Sequence, residues 1–170
     1  AVLLDGPRLG AVLVATAQRF GTPLAVPHMD LELEKHELLH RLGVPAAAIP
    51  QFHFTSPPGD EARARLAATL KQPFLPALEA HFASIAVVAG HASLVPVGMA
   101  IGPFSLMTKM MSDPISAIAA AGAGADASEE PEIALVEDLL DLGTEMILAS
   151  LARQIQAGVK AVFIAEPAAN

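Results

Sequence analysis

The chain is 170 residues long, carries a net charge of −8 from 10 basic and 18 acidic side chains, and contains no cysteine, tryptophan or tyrosine. The length suits one domain with a substantial core, the acidic balance disfavours nucleic acid and anionic lipid as partners, and the lack of cysteine excludes disulfides, thiolate nucleophiles and Cys-ligated zinc within these residues. Hydrophobic residues make up 53% of the chain, yet no segment approaches the roughly 18 unbroken apolar residues of a membrane span, and "AVLLDGPRLG" does not read as a signal peptide, so a cytoplasmic protein is expected.

In chain order, Arg8 to Phe20 fits a helix closed by Gly21 and Pro23, and the apolar run over 23–28 reads as a strand. It delivers His28 and Asp30 to the start of a second helix, "DLELEKHELLHRLG", with Leu31, Leu38, Leu39 and Leu42 on a helical period, acidic residues early and Gly43 at its stop. Residues 44–59 hold several prolines and an alternating "IPQFHF", so they read as a loop excursion or a short edge strand. Two helices follow, "DEARARLAATL" and "LPALEAHFASIAVVAG", and then a firm strand, "SLVPVGMAI".

That strand breaks into Gly102-Pro103 and restarts as a methionine-rich helix carrying Lys109, the junction expected at the carboxyl end of a parallel sheet where α/β proteins place functional groups. The tract "AIAAAGAGADASEEPE" reads as a helix end plus a mobile loop, and Ser128-Glu129-Glu130-Pro131 as the start of a long helix. Ile133, Val136, Leu140, Ile147, Leu151 and Ile155 form its apolar stripe as far as Gly158. "KAVFIAEPAAN" supplies a third strand with Glu166 at its exit. Three strands alternating with helices imply parallel pairing through right-handed crossovers. The expected fold class is therefore α/β, part of a (β/α)8 barrel, since a complete barrel takes about 250 residues.

"VPHMDLELEKHELLHRLG", "VGMAIGPFSLMTKMM" and "QIQAGVKAVFIAEPAAN", in this order and spacing, resemble the uroporphyrinogen decarboxylase superfamily. It comprises the haem-pathway decarboxylase and the corrinoid-dependent methyltransferases, all on a (β/α)8 barrel, and the resemblance implies that residues 1–170 form a partial barrel domain of this type. It assigns Asp30 to the aspartate that, in the decarboxylase, accepts hydrogen bonds from the pyrrole N–H groups at the centre of the tetrapyrrole. Lys109 stands where the decarboxylase has a pocket tyrosine, and Pro167 follows Glu166 where it has a serine.

"AEPAAN" and "DLELE" look more like the methyltransferase branch. The implied activity is methyl transfer involving a methylated corrinoid protein or a small methylated substrate; decarboxylation of uroporphyrinogen and non-catalytic binding of a tetrapyrrole or partner are the alternatives. Corrinoid and zinc are the cofactors expected of that branch. In that branch zinc is held by a His-x-Cys pair and a later Cys on strands beyond Asn170, and with no cysteine here no cofactor ligand is expected within this chain. Asp30 as the catalytic group, with His28, Gly102, Pro103, Phe104, Lys109 and Glu166 lining the substrate site, completes the expectation.

Simpler roles stand beside these. Asp30 can be a helix cap, Lys109 a solvated lysine, His28 a structural hydrogen-bonder, and the four methionines from Met99 to Met111 adaptable packing. "HELLH", His36 to His40, matches the two-histidine zinc spacing with Glu37 between them, but it reads better as the outer face of a barrel helix. With both edges of the sheet open, the chain is expected to associate with itself or with the remainder of a barrel.

Overall fold

Helix α1 (Gly6–Phe20) starts where the Asp5 carboxylate accepts the Arg8 N–H at 3.0 Å, and stops where Gly21 takes a left-handed φ of 62°. The computed structural model describes residues 2–128 and 130–169. After α1 come β1 (Leu24–Ala25), α2 (Leu33–Arg41), α3 (Gly59–Thr69), α4 (Pro76–Ala89), β2 (Val95–Ile101), α5 (Pro103–Thr108), α6 (Pro114–Gly122), α7 (Pro131–Gln156) and β3 (Ala161–Ala165), with short 3-10 turns at Val2–Leu4, Ile49–Gln51 and Pro167–Ala169. Among the described residues no helix is long and apolar enough to cross a membrane.

The three strands form one parallel sheet in the order β1-β2-β3. Leu24 pairs with Val95 at one side of β2, and Val97 to Ile101 pair with Ala161 to Ala165 at the other. The fold is thus α/β with parallel strands, and the described residues supply three strands rather than a closed ring.

β1 is shorter than the sequence suggested. The Val95 N–H bonds Pro23 O at 2.7 Å, so the spacing of a parallel ladder asks residue 27 to donate to β2. Residue 27 is proline, which has no N–H. The pairing stops at Ala25, and residues 26–30 continue outside regular structure.

Two buried clusters hold the layers together. The larger joins Leu38 and Leu39 of α2, Leu78 and Phe82 of α4, Ile101 of β2, Leu106 and Met107 of α5, and Leu139, Leu142 and Met146 of α7. The smaller packs Leu13, Val14 and Ala17 of α1 against Ala25 and Val88. Met107, Met110 and Met111 are all in the larger core, so they act as packing residues. The 44–58 excursion is neither a free loop nor a strand: Phe54 forms an isolated parallel bridge with Met111, and its N–H bonds Met110 O at 2.9 Å.

Three helix expectations change. Asp113 caps a separate α6 that runs into the tract read as a helix end and loop, accepting the Ser116 N–H at 3.1 Å. α7 begins with Glu130 in the capping position, while Ser128 belongs to the turn before it and Glu129 lies outside the described residues. In α7 the inward stripe does not reach Ile155, which is 62% exposed, because Ser150 and Gln154 point inward there.

β3 is an edge strand with exposed apolar side chains. Val162 and Ile164 stand beside Gly98 and Ala100 in the ladder and Phe163 beside Met99, so the three occupy both faces of the sheet, and they are 42%, 40% and 49% exposed. Parallel strands are ordinarily covered on both faces.

Candidate functional site

The exits of β2 and β3 are fastened to one another. Gly102 ends β2, its N–H bonding Ala165 O at 2.7 Å, and Pro103 opens α5. The half-buried Glu166 carboxylate reaches across from β3, accepting the Phe104 N–H at 3.1 Å and the Ser105 N–H at 2.8 Å. It satisfies two donors that a helix start leaves free. A Cβ on residue 102 would overlap that carboxyl, so the turn requires glycine for close approach. Ser105 in turn accepts the Ala168 N–H at 3.0 Å. Both oxygens of Glu166 are therefore engaged in building the exit.

The exit of β1 alternates. His28 and Asp30 face a recess of about 40 Å³ that they share with Leu9 and His81. Asp30 also borders a mostly apolar cleft of about 410 Å³ between Leu4, Leu33, His36 and the first turn of α4. Met29 and Leu31 instead line a trough of about 290 Å³ with Phe163, Glu166 and Pro167. In extended backbone successive side chains point to opposite sides, which is why neighbours divide in this way.

Asp30 Oδ1 accepts the Glu32 N–H at 3.0 Å, a local turn two residues ahead of α2. α2 itself starts at Leu33, so Asp30 shapes the approach to the helix and does not occupy the cap position. Glu32 pairs with Lys109 at the end of α5, both side chains about a third exposed or more, which ties the start of α2 to the end of α5.

Between these exits lies a buried polar chain that sequence reasoning missed. Where β1 has stopped pairing, Gln154 takes its place: Met99 N–H donates to Gln154 Oε1 at 2.9 Å, and Gln154 Nε2 donates to Met99 O at 2.9 Å. Gln154 passes Gly98 to get there, and a Cβ on residue 98 would collide with it. Nε2 also reaches Ser150 Oγ at 3.3 Å, and Ser150 donates to Glu34 Oε1 at 3.1 Å.

Glu34 is 2% exposed. Burial pushes its carboxyl up to about 7, and the Asp30 charge adds to this, against hydrogen bonds from its own backbone N–H, Ser150 and the Ile101 N–H. His81, also buried, is held below the ordinary histidine range chiefly by burial, opposed by Gln154 and Asp30. The sequence signal for this chain was polar Ser150 and Gln154 at i, i+4 on an otherwise apolar helix face.

The "HELLH" helix is not an outer surface. Glu37 and Arg41 are buried as an ion pair at 2.7 Å, with Glu37 Oε2 accepting the Leu75 N–H at 2.7 Å and the Arg41 guanidinium 4.7 Å from the centre of the Phe74 ring. His36 Nδ1 lies 2.9 Å from Glu32 O and His40 is exposed, so neither is set to share a metal with the other. Among the described residues no group of three His, Cys, Asp or Glu side chains could hold a metal ion.

The structure thus brings Gly102, Pro103, Phe104 and Glu166 together at one exit and His28 with Asp30 at another, with Lys109 bridging through Glu32. It does not gather all seven around one cavity.

These three parallel exits, with helices crossing between them, agree with the comparison to known families: residues 11–170 match the family model for Uroporphyrinogen decarboxylase (URO-D). The chain belongs to the uroporphyrinogen decarboxylase family. Neither the curated proteins nor the solved structures include a match to it. For this family the match implies a (β/α)8 barrel, while the described residues show a three-stranded parallel sheet, and membership places the chain among proteins that are mostly catalytic, decarboxylases and methyltransferases.

Proposed function

We propose that the chain acts as a methyltransferase-like member of the uroporphyrinogen decarboxylase family, on a methylated corrinoid protein or a small methylated substrate. The observation that carries this reading is the pair of positions where the decarboxylase resemblance calls for a tyrosine and a serine. One holds Lys109, engaged with Glu32, and the other Pro167, beside a Glu166 whose carboxylate is occupied by α5. Neither offers a hydroxyl for porphyrinogen chemistry.

In this reading Asp30 is the polar group of the site, with one oxygen committed to the Glu32 N–H and the other available to a substrate donor or cation. His28 borders the same recess, and Gly102, Pro103 and Phe104 form the wall at the second exit. A corrinoid supplies the methyl-carrying metal when its protein is bound. No step is assigned to zinc. The open edge and two bare faces of β3 support association with a further strand-and-helix unit, either the rest of a barrel or another copy.

Two assays on the intact protein decide the matter. Incubation with methylcobalamin and a thiol should bleach the methylcobalamin spectrum and methylate the thiol, with uroporphyrinogen left unchanged. Conversion of uroporphyrinogen without methyl transfer establishes the decarboxylase instead, and tetrapyrrole binding with neither reaction establishes the non-catalytic alternative.

A further inference from the structure

We infer that Glu34 is a proton-held latch: with its carboxyl neutral it docks the start of α2 onto β2 through Ser150 and Gln154, and its ionisation as pH rises loosens that junction. The inference concerns the fold beneath the site and stands whichever reaction the site performs.

The geometry is a gap in a sheet. Pro27 ends β1 pairing, so the backbone groups of β2 on that side lose their partners after Ala25–Pro96. Side chains fill the vacancy. Gln154 takes both groups of Met99, and the buried Glu34 carboxyl is held to it through Ser150. Ser150 joins the two fillers: it accepts from Gln154 at 3.3 Å, which leaves its own proton for Glu34 at 3.1 Å.

Glu34 is buried without an ion-pair partner among the described residues. The groups around it fix the sign of the response. From its own approach segment Asp30 opposes ionisation. On α2, Glu37 and Arg41 are paired with each other and Lys35 is buried. From α7 come the uncharged Ser150 and Gln154, and from α4 comes His81, whose protonation is displaced to the acid side. A charged Glu34 thus meets no compensating cation, and a buried lone charge is among the costliest arrangements in a fold. Opening admits water to the carboxylate at the point where Asp30, Glu32 and Lys109 are positioned.

Amide hydrogen exchange on the intact protein tests this. With a folded-state value of about 7 against 4.5 when open, linkage predicts that protection of the Met99 amide, corrected for base catalysis, falls roughly tenfold between about pH 6 and about pH 8.5. A local opening exposes little surface, so the fall should be the same in low urea. Glu34→Gln should abolish the pH dependence. Ser150→Ala removes a donor that favours the ionised form, so it should move the fall to higher pH. This second variant decides the question should the first not fold. Constant protection in the parent, an equal fall in Glu34→Gln, an unmoved fall in Ser150→Ala, or a fall that steepens with urea as global unfolding does would each overturn the latch.

Discussion

The Gln154 side chain pairs with the Met99 backbone as a neighbouring strand would, its Oε1 accepting the N–H and its Nε2 donating to the C=O, both at 2.9 Å. One side chain from α7 thereby satisfies both backbone groups of Met99 in the central strand, at a level where the first strand has already turned away. Helix and sheet are joined here by polar contacts as well as by apolar packing. The position is therefore sensitive to changes that a hydrophobic count would rate as mild.

Gln154→Ala leaves a buried donor and a buried acceptor on Met99 without partners and strips Ser150 of a donor. Each orphaned group costs about 1–3 kcal/mol, so the variant should lose roughly 2–5 kcal/mol of stability. Gln154→Leu, of similar bulk, should lose nearly as much, because hydrogen bonding and not volume is what fails. Urea denaturation of the two variants checks this, and a leucine variant as stable as the parent would show that packing alone holds α7 on β2.

Glu34 gives stability a definite pH course. Its folded value of about 7 lies above the 4.5 of the unfolded chain, so the folded state binds more protons between those two points and stability falls as pH rises through that window. Above about 7 both states are ionised and the loss levels off, having reached roughly 3 kcal/mol. Glu34→Gln should flatten this component and be the more stable protein on the alkaline side. Melting temperatures measured across the window would reveal the slope in the parent and its absence in the variant.

How much of this was legible beforehand follows from what each element depends on. β2, β3 and the breaks at Gly102-Pro103 and Glu166 could be read from apolar runs and turn residues, which are local properties. β1 was overextended because periodicity identified its apolar residues but did not weigh the missing N–H of Pro27 against a partner not yet known. The burial of Glu34, Glu37 and Arg41 was invisible because "LELEKHELLHR" has the charge density of a solvated helix, and only tertiary packing places α3, α4 and α7 around it. Of the expected site residues, the exit cluster at Glu166 followed from strand ends alone; the separation of His28 and Asp30 from Met29 and Leu31 depended on the local twist of an irregular segment.

The buried pair of Glu37 and Arg41 should respond asymmetrically to substitution. Glu37→Ala leaves the guanidinium with the carbonyls of Thr69, Gln72 and Pro73 but without its countercharge, and leaves the Leu75 N–H without its acceptor. The expected cost is about 3–5 kcal/mol. Replacing both residues, Glu37→Leu with Arg41→Met, should cost less than the single change. A double variant that loses the sum of both single effects would contradict this account of the pair.

Glu166→Ala removes the acceptor for two N–H groups at the start of α5, with an expected loss of roughly 1–3 kcal/mol, and Glu166→Gln should recover part of it through its remaining carbonyl oxygen. Gly102→Ala should be at least as damaging, since the added methyl displaces that carboxyl and breaks the same two bonds. Combining Gly102→Ala with Glu166→Ala should cost less than the two losses added together, because the second change removes the group with which the first collides. Strict additivity in denaturation would separate the two positions.

Asp30 is the residue on which the functional reading turns, and its two roles can be separated by substitution. Oδ1 accepts the Glu32 N–H, and asparagine retains an oxygen able to do so while discarding the charge. Asp30→Asn should therefore change stability little and weaken binding of a tetrapyrrole or corrinoid partner, whereas Asp30→Ala should lose binding and also about 0.5–1.5 kcal/mol of stability with the lost hydrogen bond. The charge has a further signature. Because Asp30 raises the Glu34 carboxyl through space, Asp30→Asn should also lower the pH at which Glu34 ionises, shifting the stability slope to the acid side while Asp30→Glu leaves it nearly in place. Calorimetric titration of methylcobalamin protein and of a porphyrin, run beside the pH series, reads both effects. Binding that survives Asp30→Asn at full strength, together with a displaced Glu34 transition, would leave Asp30 a structural charge and move the search for the ligand to the trough beside Phe163 and Glu166.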